Sequence, residues 1–133
     1  MSTNSTGNEW QDWAKPAPAA NEGPKWKPSA NVGALVRLTI GGYKEVETAL
    51  YDLWTFVECD VDVIEPDGSA YTTYPAQPLS GVWYVSTFRN APIGYQALGV
   101  VTAETFSNGR TGYAMRPLTD AEEAIVRKAI PGL

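Results

Sequence analysis

The sequence predicts a mainly β fold: a five-stranded, OB-fold-like Greek-key barrel with a helix between strands three and four, a C-terminal helix and a disordered or docked N-terminal arm. Three observations predict it. Period-two alternation of apolar and polar residues recurs in separate short runs, a helix-spaced aromatic run falls between the third and fourth of them, and capping-box spacing opens a last helix after the fifth. The same order fits a small SH3-like barrel or an open β-sandwich, because the middle helix is rich in β-branched residues. With 133 residues, 44% of them hydrophobic, the chain can bury one core and not two. The divisions that follow are an arm over residues 1–32, a barrel over 33–118 and a C-terminal helix over 119–133.

The elements follow in order. In GALVRLTI, Ala34, Val36, Leu38 and Ile40 fall on one face and Leu35, Arg37 and Thr39 on the other, a half-buried first strand that Gly41 and Gly42 are expected to end. A connection from Tyr43 to Leu53, with Val46, Ala49 and Leu50 spaced for a short helical turn, leads to a second strand, Trp54 to Ile64. There Val57, Cys59, Val61 and Val63 alternate against an acidic face of Glu58, Asp60 and Asp62. EPDGS makes a tight reversal into a third strand, Ser69 to Tyr74, with Asp62 expected near Tyr71, Asp60 near Thr73, and Thr72 and Tyr74 facing inward. Pro75 and Pro78 are expected to stop the pairing. Trp83, Tyr84, Thr87 and Phe88 then have helical spacing before Pro92. YQALGVVTAE is the fourth strand, SNGR a turn, and TGYAMRP the fifth strand. Thr119 and Glu122 cap the final helix, Arg127 and Lys128 suit its C-terminal dipole, and Pro131 and Gly132 end it.

Several function classes are excluded by composition. There is no histidine, which removes histidine-based triads, histidine-ligated metals and the usual general base near neutral pH. The single cysteine, Cys59, excludes an internal disulfide and a multi-cysteine zinc site and reads as core. Glu58, Asp60 and Asp62 present carboxylates to one face, but same-face neighbours on a strand stand about 6.5 to 7 Å apart, so they cannot close on one ion unaided. No metal, no cofactor and no catalytic residues are expected. No window approaches eighteen apolar residues and no secretory signal opens the chain, so a cytoplasmic protein without a membrane partner is expected.

The run YVSTFRNAPIGYQALGVV followed by NGRTGYAMRPLTDAEEAIVRKAI resembles small proteins of actinobacteria and their phages that carry S-x-L-R, then G-x-x-x-L-G, then a short strand and helix. The specific part is Ser86, Phe88, Arg89, Gly94, Leu98 and Gly99, with Phe88 in place of the usual Leu. The resemblance implies an OB-fold, noncatalytic, single-stranded-DNA-binding protein, in the host cytoplasm if phage-encoded. These positions are mostly scaffold and argue for fold more than activity. The chain ends IVRKAIPGL, without the acidic tail that other single-strand binders use for recruitment, and its arm lies outside the resemblance.

Single-strand binding needs stacking faces and a positive track. The formal charge is −5, and Glu58, Asp60, Asp62, Glu65 and Asp67 account for all of that excess. Away from them, Trp54 and Phe56 share the outer face of strand two and are expected to meet Arg37 on strand one, with Lys44, Arg110 and Arg116 completing a phosphate track. In the arm, Lys25, Trp26 and Lys27 form a cation–indole–cation triplet suited to a strand. Trp10 and Trp13, three apart, suit instead a latch on the chain's own barrel, on another copy or on another protein. The alternative reading is accordingly a protein-interaction or assembly module.

Overall fold

The computed structural model describes residues 25–49 and 53–133. Its elements are β1 (Leu35–Val46), β2 (Trp54–Ile64), β3 (Tyr71–Leu79), α1 (Val82–Phe88), β4 (Gln96–Thr105), β5 (Thr111–Arg116) and α2 (Asp120–Ala129). The five strands make one antiparallel sheet in the order β3-β2-β1-β4-β5, curled into a half-barrel whose edges are β3 and β5. No helix among the described residues is long and apolar enough to cross a membrane.

Alternation gives the sheet two buried faces. Val36, Leu38 and Ile40 of β1 pair with Val63, Val61 and Cys59 of β2, and this inner face packs under Tyr84 and Phe88 of α1. The opposite parity of the same strands carries Leu35, Ile64 and Val100, which Val126 and Ile130 of α2 cover. Thr119 caps α2 as expected: its hydroxyl accepts from the Glu122 N–H at 3.2 Å, while the Glu122 carboxylate accepts from the Thr119 N–H at 2.9 Å. Lys128 donates to the Asp67 carbonyl at 3.1 Å, tying the helix to the β2–β3 turn.

Three expectations are corrected. First, the glycine pair does not end β1. The strand continues to Val46 through a register shift between Ile40 and Gly42, where Gly42 takes φ 130°, a conformation open to glycine; five residues of β2, Trp54 to Glu58, thereby gain partners on β1. Second, Pro75 and Pro78 do not stop β3. It is an edge strand, whose outer side needs no N–H, and a bulge at Ala76 (φ 50°) absorbs the irregularity, with the Ala76 N–H donating to Asp60 Oδ1 at 2.9 Å. Third, the hairpin register is offset by two residues. Asp62 faces Thr73 and Ile64 faces Tyr71, because residues 65–70 form a six-residue connection closed by the Glu65 N–H on the Ala70 carbonyl. The expected inward parity of Tyr74 holds, and it packs against the inner core.

Of the segment read as an arm, residues 25–32 are docked. Trp26 is only 5% exposed and belongs to the inner core, its backbone N–H donating to Gln77 Oε1 on β3 at 2.9 Å. Pro28–Ala30 makes a 3-10 turn, and the chain enters β1 after the Gly33 N–H bonds the Val101 carbonyl of β4 at 2.8 Å.

Candidate nucleic-acid interface

A cleft of about 820 Å³ opens along the seam between the two sheet edges. One wall is the end of β3 and the start of α1, from Pro78 to Trp83; the other is the β4–β5 turn and the start of β5, from Phe106 to Tyr113. Trp26 to Ser29 lie between them. Aromatic faces come from Trp83, Phe106 and Tyr113, each half-buried, beside Val82, which is 76% exposed. Trp83 is braced edge-on by Tyr84 at 5.0 Å and by Phe88 at 5.7 Å. Phe106 lies so close over Gly112 that any side chain there would displace the ring.

The electrostatics of the cleft differ from those of the chain. Among its lining residues are Lys27 and Arg110, both exposed, and no aspartate or glutamate, in a protein of formal charge −5. Hydroxyls and amides of Ser29, Ser80, Ser107, Asn108 and Thr111 supply neutral hydrogen-bonding groups. At its floor the Tyr84 hydroxyl donates to the Ala114 carbonyl at 3.2 Å, and burial pushes its pKa well above the usual tyrosine value. The Trp26 Nε1–H is buried without a partner. A surface that joins cations to π-faces and omits carboxylates can hold a planar, anionic chain.

The residues singled out from the sequence fall into four groups. Arg110 and Lys27 are on the cleft, and Lys25 is exposed beside it. Trp26 lines the same cleft as a core residue, so it is not the free middle of a cation–indole–cation triplet. Trp54 and Phe56 form a pair on the far reach of the β1–β2 ribbon, ring centroids 4.5 Å apart, with Lys44 exposed opposite Phe56 and exposed Val46 opposite Trp54.

Two cations are committed elsewhere. Arg37 does not meet Trp54 and Phe56: it lies opposite Asp62, with Nε 2.7 Å from Oδ2, because the longer β1 puts Lys44 and Val46 opposite the aromatics. Asp62 also accepts from Thr73 Oγ1 at 2.6 Å and is 4% exposed, so it is not a solvated face residue. Arg116 makes a two-pronged pair with Glu122, both contacts 2.8 Å. That pair, helped by the Thr119 backbone N–H, pulls the Glu122 carboxyl down to about 2. Trp10 and Trp13 lie outside the described residues.

Sequence reasoning assigned Trp83 to a helix face and Tyr113 to strand alternation, and did not single out Phe106. Their spacing gives no local signal, since the cleft exists only where β3 and β5, distant in sequence, form facing edges. At the positions of the resemblance, Phe88 is buried, Arg89 lies 4.7 Å over the Tyr43 ring and a side chain at Gly99 would meet the Arg116 carbonyl, whereas Ser86 is exposed and lines the cleft. Burial pushes the Cys59 thiol up to about 12. Among the described residues no group of His, Cys, Asp and Glu is arranged to hold a metal ion. No protein family, no curated protein and no solved structure matches the chain.

Proposed function

We propose that the chain is a noncatalytic single-stranded-DNA-binding protein that takes the strand in the seam cleft of an OB-like half-barrel. One observation carries the proposal: the cleft is free of acids, bears Lys27 and Arg110 and is walled by Trp83, Phe106 and Tyr113, although the chain as a whole is acidic. The five-stranded order, with a helix between the third and fourth strands, supports the OB-like reading. The acidic side chains Glu58 and Asp60 have the opposite strand parity to the inner core residues Val57 and Cys59 and are not among the cleft-lining residues, although Glu58 pairs across the ladder with Pro78 of the cleft wall. The DNA class itself rests on the resemblance of the Ser86–Gly99 region.

The test is a titration of a labelled poly-pyrimidine oligonucleotide followed by anisotropy. Lys27→Ala and Arg110→Ala should each weaken binding and flatten the log–log salt dependence by about 0.7 per phosphate contact removed. A salt-independent affinity, or one untouched by both substitutions, refutes the reading. The interaction-module alternative has its own support in the exposed Val46 and Leu53 beside Trp54, and predicts concentration-dependent sedimentation that Trp54→Ala abolishes.

A further inference from the structure

We propose that the segment around Trp10 and Trp13 docks in the seam cleft of its own chain and competes there with the single strand. The docking rests on the geometry and charge of the cleft; only the competition rests on the nucleic-acid reading above.

Three features point to this occupant. The described chain starts at Lys25, one residue from Trp26 in the cleft, so the preceding segment is tethered at the groove it would fill. Residues 14–24 separate Trp13 from that point and span up to about 35 to 40 Å when extended. Charge is complementary. Residues 1–24 hold Glu9, Asp12 and Glu22 against Lys15, a side-chain balance of −2, and two of these acids adjoin the indoles, whereas the cleft holds Lys27 and Arg110 and no acid. The apolar surface also fits. Val82 is largely exposed and Trp83 half-exposed on the wall facing Phe106, a groove in the size range that encloses a drug-sized ligand or a pair of aromatic side chains.

Tethering makes the docking intramolecular, so even weak contacts hold a sizeable docked fraction. If nine molecules in ten are docked, the apparent Kd for a strand rises about tenfold, because only the open fraction binds. The arm would then set a threshold. A strand long enough to cover both cations displaces it, and a short one does not.

The test uses the full chain with Asn8→Cys carrying a nitroxide; Cys59 is buried and does not take the label. Amide signals of Val82, Phe106 and Arg110 should broaden, Trp10→Ala with Trp13→Ala should restore them, and the same double substitution should tighten oligonucleotide binding up to tenfold. Cleft signals that stay sharp overturn the proposal. Broadening seen only when labelled and isotope-enriched molecules are mixed also overturns it, in favour of a second copy as occupant. Weaker oligonucleotide binding by the double variant overturns it as well, since the arm would then grip the strand. If the cleft signals broaden and no oligonucleotide binds even the double variant, docking stands and the nucleic-acid reading falls.

Discussion

Asp62→Asn separates a structural carboxylate from a solvated one. Asp62 sits among acids that sequence alone assigns to a wet strand face, yet it is 4% exposed and accepts 2.7 and 2.6 Å bonds from Arg37 and Thr73. Its partner Arg37 is also largely covered, with 15% of its side chain exposed. Breaking a buried pair on one side costs about 3 to 5 kcal/mol, because the remaining charge is left uncompensated. Here the loss is smaller. Asn keeps one acceptor of the same size, and Arg37 retains a path to water and the Tyr71 ring 5.8 Å away. A loss of about 2 to 3 kcal/mol follows, which at about 4 °C per kcal/mol for a domain of this size lowers Tm by roughly 8 to 12 °C. Asp60→Asn is the internal control. Asp60 is exposed, its one bond runs to the Ala76 N–H, and Asn can still accept it, so the cost should stay under about 1 kcal/mol. Circular-dichroism melts at pH 7 in low and high salt distinguish the two. Equal melting for both variants, or an Asp62→Asn effect below about 0.5 kcal/mol, refutes the buried-pair assignment and returns Arg37 to the pool of free cations.

Four further outcomes are expected. Trp26→Ala should cost about 3 to 5 kcal/mol in urea unfolding, as a core indole does, and a near-neutral result would free it for ligand stacking. Deleting residues 1–24 should shift that unfolding curve by no more than about 1.4 kcal/mol, the stabilisation expected from a segment docked in nine molecules of ten, whereas deleting 1–32 should shift it at least as far as Trp26→Ala. The Glu122 carboxyl has a folded pKa of about 2, depressed from 4.5, so its contribution to stability is present above about 4.5 and is lost as pH falls towards 2; Glu122→Gln should flatten that part of the acid melt. Cys59, buried and with its thiol raised to about 12, should react with iodoacetamide at pH 8 only as fast as the chain opens, and rapid labelling of the native protein would contradict its core position.

What the sequence made legible follows the range of the interactions involved. The capping box at Thr119 and Glu122, the α1 spacing of Tyr84 and Phe88 and the parity of β2 all depend on neighbours within a turn or a strand, and all appear where the pattern places them. Glycine and proline were misread at two places for one reason. Gly41–Gly42 and Pro75–Pro78 are local breakers, but a long partner strand supplies enough backbone bonding to carry pairing past a single bulge. That error then moved side chains, since ending β1 at Ile40 left Arg37 as the nearest cation to Trp54 and Phe56, when the continued strand sets Lys44 there instead.

The candidate site was the least legible part because it is made of what the sheet leaves over. Lys27, Trp83 and Arg110 come from three segments with no mutual spacing rule, and they meet only because β3 and β5 end the sheet on facing sides. Net charge misleads for the same reason. The acids lie outside the cleft lining, although Glu58 and Glu104 are ladder partners of its residues Pro78 and Gly112, so a total of −5 coexists with a lining that carries two cations and no carboxylate. Over separations beyond about 8 to 10 Å, salt screens exposed charges from one another at physiological strength. A phosphate in the seam meets Lys27 and Arg110 directly, whereas Asp60 is not among the lining residues and its strand parity is opposite to that of the inner core residues Val57 and Cys59, so salt screens it more readily. It follows that raising salt should weaken binding in the cleft, while neutralising Asp60 should change it little; a large gain in affinity on Asp60→Asn would mean that the strand runs across the outer face instead.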